Sequence, residues 1–192
     1  MSVNSQLLIV LALIVSSAIA LTLTAGRLAP PVKKASFREF VELRERLYSD
    51  KSIFLNFEVE VIAEEHVVEV CVENGCRRIV VTETWIVAPV DSSPCIPVEN
   101  FERRKELYSL YSNGTHTAIC TGVYIEAEGD EVIITYVKPV CTGVTHKLVL
   151  YEERIDEIVV YVQEASILID GGKVAAFSGF KKIRIRQVTL TF

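Results

Sequence analysis

The sequence predicts an α+β domain, predominantly antiparallel β and sandwich-like, with two short helices, preceded by one N-terminal transmembrane helix or signal segment. Three observations predict it. An uncharged apolar run, Leu7 to Thr24, precedes a chain of ordinary polarity. From Ile53 onward apolar residues recur mainly with the period of two that marks half-buried strands. Only two stretches, near residues 36–48 and 99–111, carry helical spacing.

The run LLIVLALIVSSAIALTLT is eighteen residues long, enough to cross a hydrocarbon layer of about 30 Å as a helix. Its eleven Leu, Ile and Val residues each favour insertion by about 0.3–0.6 kcal/mol. Residues 1–25 are therefore read as a membrane anchor. The alternative is a cleaved signal peptide, with Leu7–Val15 as the apolar region and Ala18-Ile19-Ala20 as the small-residue cleavage site. Arg27, Lys33 and Lys34 after the run favour a cytoplasmic domain by the positive-inside rule. The sequon Asn113-Gly114-Thr115, a glycosylation candidate, and five cysteines favour an oxidising compartment. On balance the expectation is an extracytoplasmic domain on a single-pass anchor, or a secreted one if the segment is cleaved.

Ala29-Pro30-Pro31 stiffens the exit from the anchor, so residues 26–35 form a linker. Residues 36–192 are long enough for one core, not two, and are read as a single β-rich domain. Ser36 and Glu39 form a capping box, and Phe37, Phe40, Val41, Leu43 and Leu47 make a helical stripe through Tyr48. Ile53, Leu55, Phe57, Val59 and Val61 then face one way, with Asn56, Glu58 and Glu60 on the other side. A second strand runs to about Glu73. Asn74-Gly75 is expected as a type I′ turn, with Arg77–Val87 returning. Pro89, Pro94 and Pro97 interrupt pairing, and a second helix is expected from Glu99 to Tyr111, ended by Asn113-Gly114.

The remaining strands are expected at 115–128, 131–137, 140–152, 155–169, 173–177 and 181–192, with turns at Gly129-Asp130 and Asp170-Gly171-Gly172. Short connections imply antiparallel neighbours. In the last strand the apolar phase shifts from Ile183 and Ile185 to Val188, Leu190 and Phe192, which a bulge near Arg186-Gln187 would accommodate.

The formal net charge of −5 and pI near 5.3 argue against a nucleic-acid partner, which needs a concentrated cationic surface. Lys181, Lys182, Arg184 and Arg186 alternate with Ile183 and Ile185, the pattern of a strand's wet face. One Met, three Gln and abundant Val, Ile, Glu, Lys and Arg give a thermophile-like composition.

Cys71, Cys76, Cys95, Cys120 and Cys141 are disulfide candidates, and an odd number leaves at least one unpaired within the chain. A strict two-residue Asn74-Gly75 loop would set Cys71 opposite Arg78 and disfavour closure, whereas a loop over Val72–Gly75 would set Cys71 opposite Cys76. No cofactor is required by this sequence. If a metal is held, His116 and Cys120 with Cys141 and His146 have spacings within reach of a zinc site. The stretch Cys141-Thr-Gly-Val-Thr-His146 resembles the ligand loop of cupredoxins, which would imply copper at Cys141 and His146, with His66 or His116 upstream. The plainer expectation is that the cysteines are core or disulfide residues and the histidines surface groups.

No Gly-x-Ser-x-Gly elbow, phosphate-binding glycine loop, His-Glu-x-x-His helix or Cys-x-x-Cys pair occurs. Carboxylates are numerous, including Glu64-Glu65 and Glu152-Glu153 with Asp156-Glu157, and a sheet could bring two together for acid–base work, but neighbouring acids near strand ends are more often solvated turns. The expected role is therefore binding or structural, with the membrane and a protein as partners. An accessory subunit using the small residues Ser16, Ser17, Ala18 and Ala20 as a helix interface is the alternative.

Overall fold

The computed structural model describes residues 33–192 apart from 73, 74, 102, 103 and 105. The apolar run and its linker as far as Val32 lie outside the described residues, and among those described no helix is long and apolar enough to cross a membrane. Among the described residues, one helix, α1 (Phe37–Ser49), precedes nine strands: β1 (Ser52–Val72), β2 (Gly75–Pro89), β3 (Cys95–Ile96), β4 (Tyr108–Asn113), β5 (His116–Thr121), β6 (Tyr124–Glu128), β7 (Glu131–Pro139), β8 (Gly143–Ile169) and β9 (Gly172–Thr191). All nine belong to one sheet, in the order β3-β4-β5-β2-β1-β8-β9-β7-β6.

The helix starts where its capping box predicts. Ser36 Oγ accepts from the Glu39 N–H and Glu39 Oε2 accepts from the Ser36 N–H. Phe40, Leu43 and Leu47 are its buried face, each contributing about 1.5–3 kcal/mol by leaving water.

The expected antiparallel pairing holds for every hairpin: β1–β2, β4–β5, β6–β7 and β8–β9. The exception is β7 against β9, which run parallel; they are not consecutive, so no tight turn constrains their direction. β1 also pairs β8 in separate stretches, Phe54 with Lys147 near one end and Val70 with Ile167 near the other.

Three expectations are corrected. The second helix is not formed across its expected span: Tyr108–Tyr111 belong to β4, paired with β5 from Tyr108↔Thr121 to Ser112↔Thr117. Without β4, β5 would carry a row of open backbone groups, and pairing overrides the weak helical spacing. The two-sheet sandwich is replaced by one continuous sheet that curls until Thr84 Oγ1 of β2 lies 3.5 Å from the Val137 carbonyl of β7. The first hairpin pairs Val72 with Gly75 and Cys71 with Cys76, so of the two registers weighed it takes the one that opposes the cysteines and not the strict Asn74-Gly75 one that would set Cys71 opposite Arg78.

That sheet carries two cores, where chain length led to the expectation of one. The first gathers Phe40, Leu43 and Leu47 of α1 over Ile53, Phe57, Val59 and Val61 of β1, with Ile86, Ile119, Leu148 and Leu190. The second gathers Val68 and Val70 of β1 with Val81, Ile134, Ile167, Ile169, Ile183 and Ile185. In β1 the buried positions are odd up to Val61 and even from Val68, although its register with β2 is unbroken from Glu60↔Val87 to Val72↔Gly75. Alternate residues face opposite sides of a strand, so the β1–β2 ribbon buries one face at one end and the other face at its tip. The phase change in β9 has the same origin: Ile183 and Ile185 serve the second core and Leu190 the first. The expected irregularity is real but falls on the partner strand. Arg154 pairs Arg186 while Asp156 pairs Ile185, leaving Ile155 as the extra residue in β8.

Candidate functional site: a charged chain across four elements

Where the buried face of the β1–β2 ribbon changes over, the face of β1 that carries Glu64, His66 and Val68 is the one on which β2 carries Glu83, Val81 and Ile79. Glu64 stands directly opposite Glu83, and His66 opposite Val81. Glu83 is 5% exposed. A carboxylate at that depth needs a partner, and Arg104, in the segment between β3 and β4, supplies it by an ion pair from Nη1 to Glu83 Oε1. The Arg104 guanidinium also donates from Nη1 to the Thr121 carbonyl at 2.9 Å and from Nε to the Glu99 carbonyl at 3.1 Å. It lies 5.2 Å from the Trp85 ring centre and 5.8 Å from that of Phe101, within cation–π range.

The other Glu83 oxygen faces His66 Nε2 at 3.1 Å, and His66 Nδ1 meets Asp170 Oδ2 at 2.6 Å. Phe101 stacks on the imidazole with ring centres 4.0 Å apart. Asp170 sits in the β8–β9 turn, where its φ of 47° and the 83° of Gly171 are the left-handed pair of a tight hairpin turn. The turn is tied to β1 twice more: the Val67 N–H donates to Asp170 Oδ1 and the Asp170 N–H to the Val67 carbonyl, each at 2.9 Å. Arg104, Glu83, His66 and Asp170 thus form one chain of alternating charge from the β3–β4 segment through β2 and β1 to the β8–β9 tip.

Burial of the His66 ring opposes its charge, but the bonds to Asp170 and Glu83 outweigh this and hold its pKa above the ordinary value of about 6.5. For Asp170 burial again opposes charge, and the Val67 N–H and His66 outweigh it, so its pKa lies below the ordinary value of about 3.9. A raised histidine contributes stability in full below about pH 6.5 and loses it as pH rises through its folded pKa; a lowered aspartate contributes above about pH 3.9 and loses it as pH falls through its folded pKa. The tip is therefore held most strongly between roughly pH 4 and 6.5. Asp170→Asn should cost about 1 kcal/mol at pH 5.5, allowing for the partial exposure of Asp170, and less at pH 9. Denaturant unfolding at the two pH values checks this, and an equal cost at both would refute the charged pair.

The residues singled out by sequence spacing lie elsewhere. His116 is exposed at the start of β5, 3.1 Å from Thr115 Oγ1. Cys120 is buried in β5 and Cys141 exposed after β7, and both are free thiols, as is exposed Cys95. His146 is exposed, with Nε2 3.3 Å from Glu58 Oε1. Asn113 is exposed in the β4–β5 turn, where its Oδ1 accepts from the backbone N–H groups of Thr115 and His116. Cys71 and Cys76 form a disulfide. Arg184 pairs with Glu131 at 3.1 Å while Ile183 and Ile185 are buried, as strand alternation predicts.

Among the described residues, the His, Cys, Asp and Glu side chains that converge as a possible metal-ligating group are Glu64, His66 and Glu83. Sequence spacing treats Glu64 only as half of an acidic pair and His66 only as an upstream copper ligand, and it passes over Glu83, Arg104 and Asp170. The available signal is a lone charge in the apolar run Val80-Val81-Thr82-Glu83-Thr84-Trp85-Ile86-Val87: an acid in such a strand is buried with a partner or breaks the pattern. No protein-family model matches the chain, and neither the curated proteins nor the solved structures include a significant match.

Proposed function

We propose that the protein is a membrane-anchored, extracytoplasmic β-rich domain with a binding or structural role. The observation that carries this is the disulfide joining directly opposed Cys71 and Cys76 beside the first hairpin turn, since such bonds persist mainly in oxidising compartments. The apolar run in residues 7–24 supplies the anchor. At the outer part of the same ribbon, Val67 and Val80 pair across the strands and remain 36% and 58% exposed. An exposed apolar pair on a pinned ribbon suits contact with a protein partner.

Thiol mapping by mass on protein from its own membranes tests the compartment. Cys71 and Cys76 should take up alkylating reagent only after reduction, and exposed Cys95 and Cys141 at once. Cys120 should label only after unfolding, because burial pushes its thiol up to about 12 and the reactive thiolate is scarce. Added protease should digest the domain in intact cells. Reduced Cys71 and Cys76, or a domain sheltered from protease until the cells are opened, would overturn the proposal.

A further inference from the structure

We propose that Glu64, His66 and Glu83 form a binding site for a divalent first-row transition cation of the Zn2+ class, with Asp170 as the positioning residue for His66. The site is independent of the compartment assigned above.

The donor set is the first ground. One imidazole nitrogen and two carboxylates, from Glu64, His66 and Glu83, offer ligand atoms all within 4.8 Å of one another. His66 Nε2 and Glu83 Oε2 are 3.1 Å apart. Two ligands held at about 2.0–2.1 Å from one ion at near-octahedral to near-tetrahedral angles are themselves separated by about 2.9–3.4 Å, so this pair already has the spacing of a shared ion. Imidazole with carboxylate suits Zn2+ and its neighbours better than Ca2+ or Mg2+, which prefer oxygen throughout.

The second ground is the tautomer. Asp170 lies 2.6 Å from His66 Nδ1, so when the imidazole gives up one proton to an ion it keeps the one at Nδ1, and the Nε2 lone pair serves an ion shared with Glu83. A carboxylate behind the imidazole in this way orients and strengthens a metal-binding histidine. Phe101, stacked at 4.0 Å, fixes the ring plane.

Charge is the third ground. Glu64 and Glu83 stand directly opposite on adjacent strands, an arrangement that repels when both are ionised. Arg104 engages Glu83 through Oε1, leaving Oε2 for His66 or an ion. With neutral His66, the carboxylates of Glu64, Glu83 and Asp170 outnumber the Arg104 guanidinium by two charges, which a divalent ion balances. Glu64 is exposed, so the site opens to solvent on that side and an ion can enter without unfolding the ribbon.

The test is calorimetric titration of the full chain in detergent with Zn2+ alone, disulfide intact and the exposed thiols of Cys95 and Cys141 alkylated. One Zn2+ per chain is expected. Glu64→Gln, which leaves the Glu83–Arg104 pair untouched, should weaken binding at least tenfold while the metal-free melting temperature holds or rises, because the opposed carboxylates no longer repel. His66→Gln should abolish it, Asp170→Asn should weaken it about 10–100-fold, and His146→Gln should leave it unchanged. Absence of binding at millimolar Zn2+, unchanged affinity in Glu64→Gln, or loss of binding in His146→Gln would each overturn the site.

Discussion

Arg104→Met should destabilise the domain by about 3–5 kcal/mol, the cost of breaking a buried ion pair and leaving one charge behind. The Arg104 and Glu83 side chains are 2% and 6% exposed, so water cannot take over the role of the guanidinium. The substitution also removes donors to the Thr121 and Glu99 carbonyls and the cation over Trp85 and Phe101, while Met keeps much of the volume. Equilibrium unfolding in urea measures the cost. The control is Glu83→Leu combined with Arg104→Met, which removes both charges and should recover most of the loss, since well-packed apolar replacements of buried pairs are often neutral. A single-variant cost below about 1 kcal/mol would mean that Glu83 is not held by Arg104, and that the β3–β4 segment is anchored by other contacts.

Phe40→Ala should cost a similar amount, about 3–5 kcal/mol, by emptying a ring's volume from the first core. Phe40 is fully buried, and its ring stacks on Phe57 of β1 with centres 5.7 Å apart. The helix supplies the cover over this end of the sheet, so the vacated space cannot be refilled by a neighbouring strand without breaking pairing. The second core uses other residues, so Ile183→Val, expected to cost about 0.5–1.5 kcal/mol, should add to Phe40→Ala within a few tenths of a kcal/mol. Urea unfolding of the two single variants and the double variant decides this. Strong non-additivity would mean that the two apolar groups behave as one continuous core.

Much of the local structure is legible in the residues themselves. Ser36 and Glu39 mark the start of α1, and the alternation from Ile53 marks β1. Asp170-Gly171 marks a turn because few other residue pairs tolerate two left-handed backbones in succession. The phase change in β9 is legible as well, but its meaning is not. In one strand viewed alone a bulge explains it; with β1 beside it, burial of opposite faces at the two ends does. The failed helix over Glu99–Tyr111 shows the same limit. Tyr108, Leu110 and Ser112 suit either period, and the open edge of β5 selects the strand.

The charged chain lies further from what linear spacing can show. Its members are separated by 17 residues between His66 and Glu83, and by 104 between His66 and Asp170, and no motif links them. By itself the sequence determined the apolar N-terminal run, the β-rich class, the capped helix and the order of most turns, because propensity, capping and period act over a few neighbouring residues. The tertiary structure alone decided that one curled sheet carries two cores, that Cys71 meets Cys76, and that Arg104, Glu83, His66 and Asp170 meet. Those outcomes depend on strand register and on pairing between distant segments. A shift of one residue in register reverses every side chain's face, and neither composition nor local spacing fixes which register is adopted.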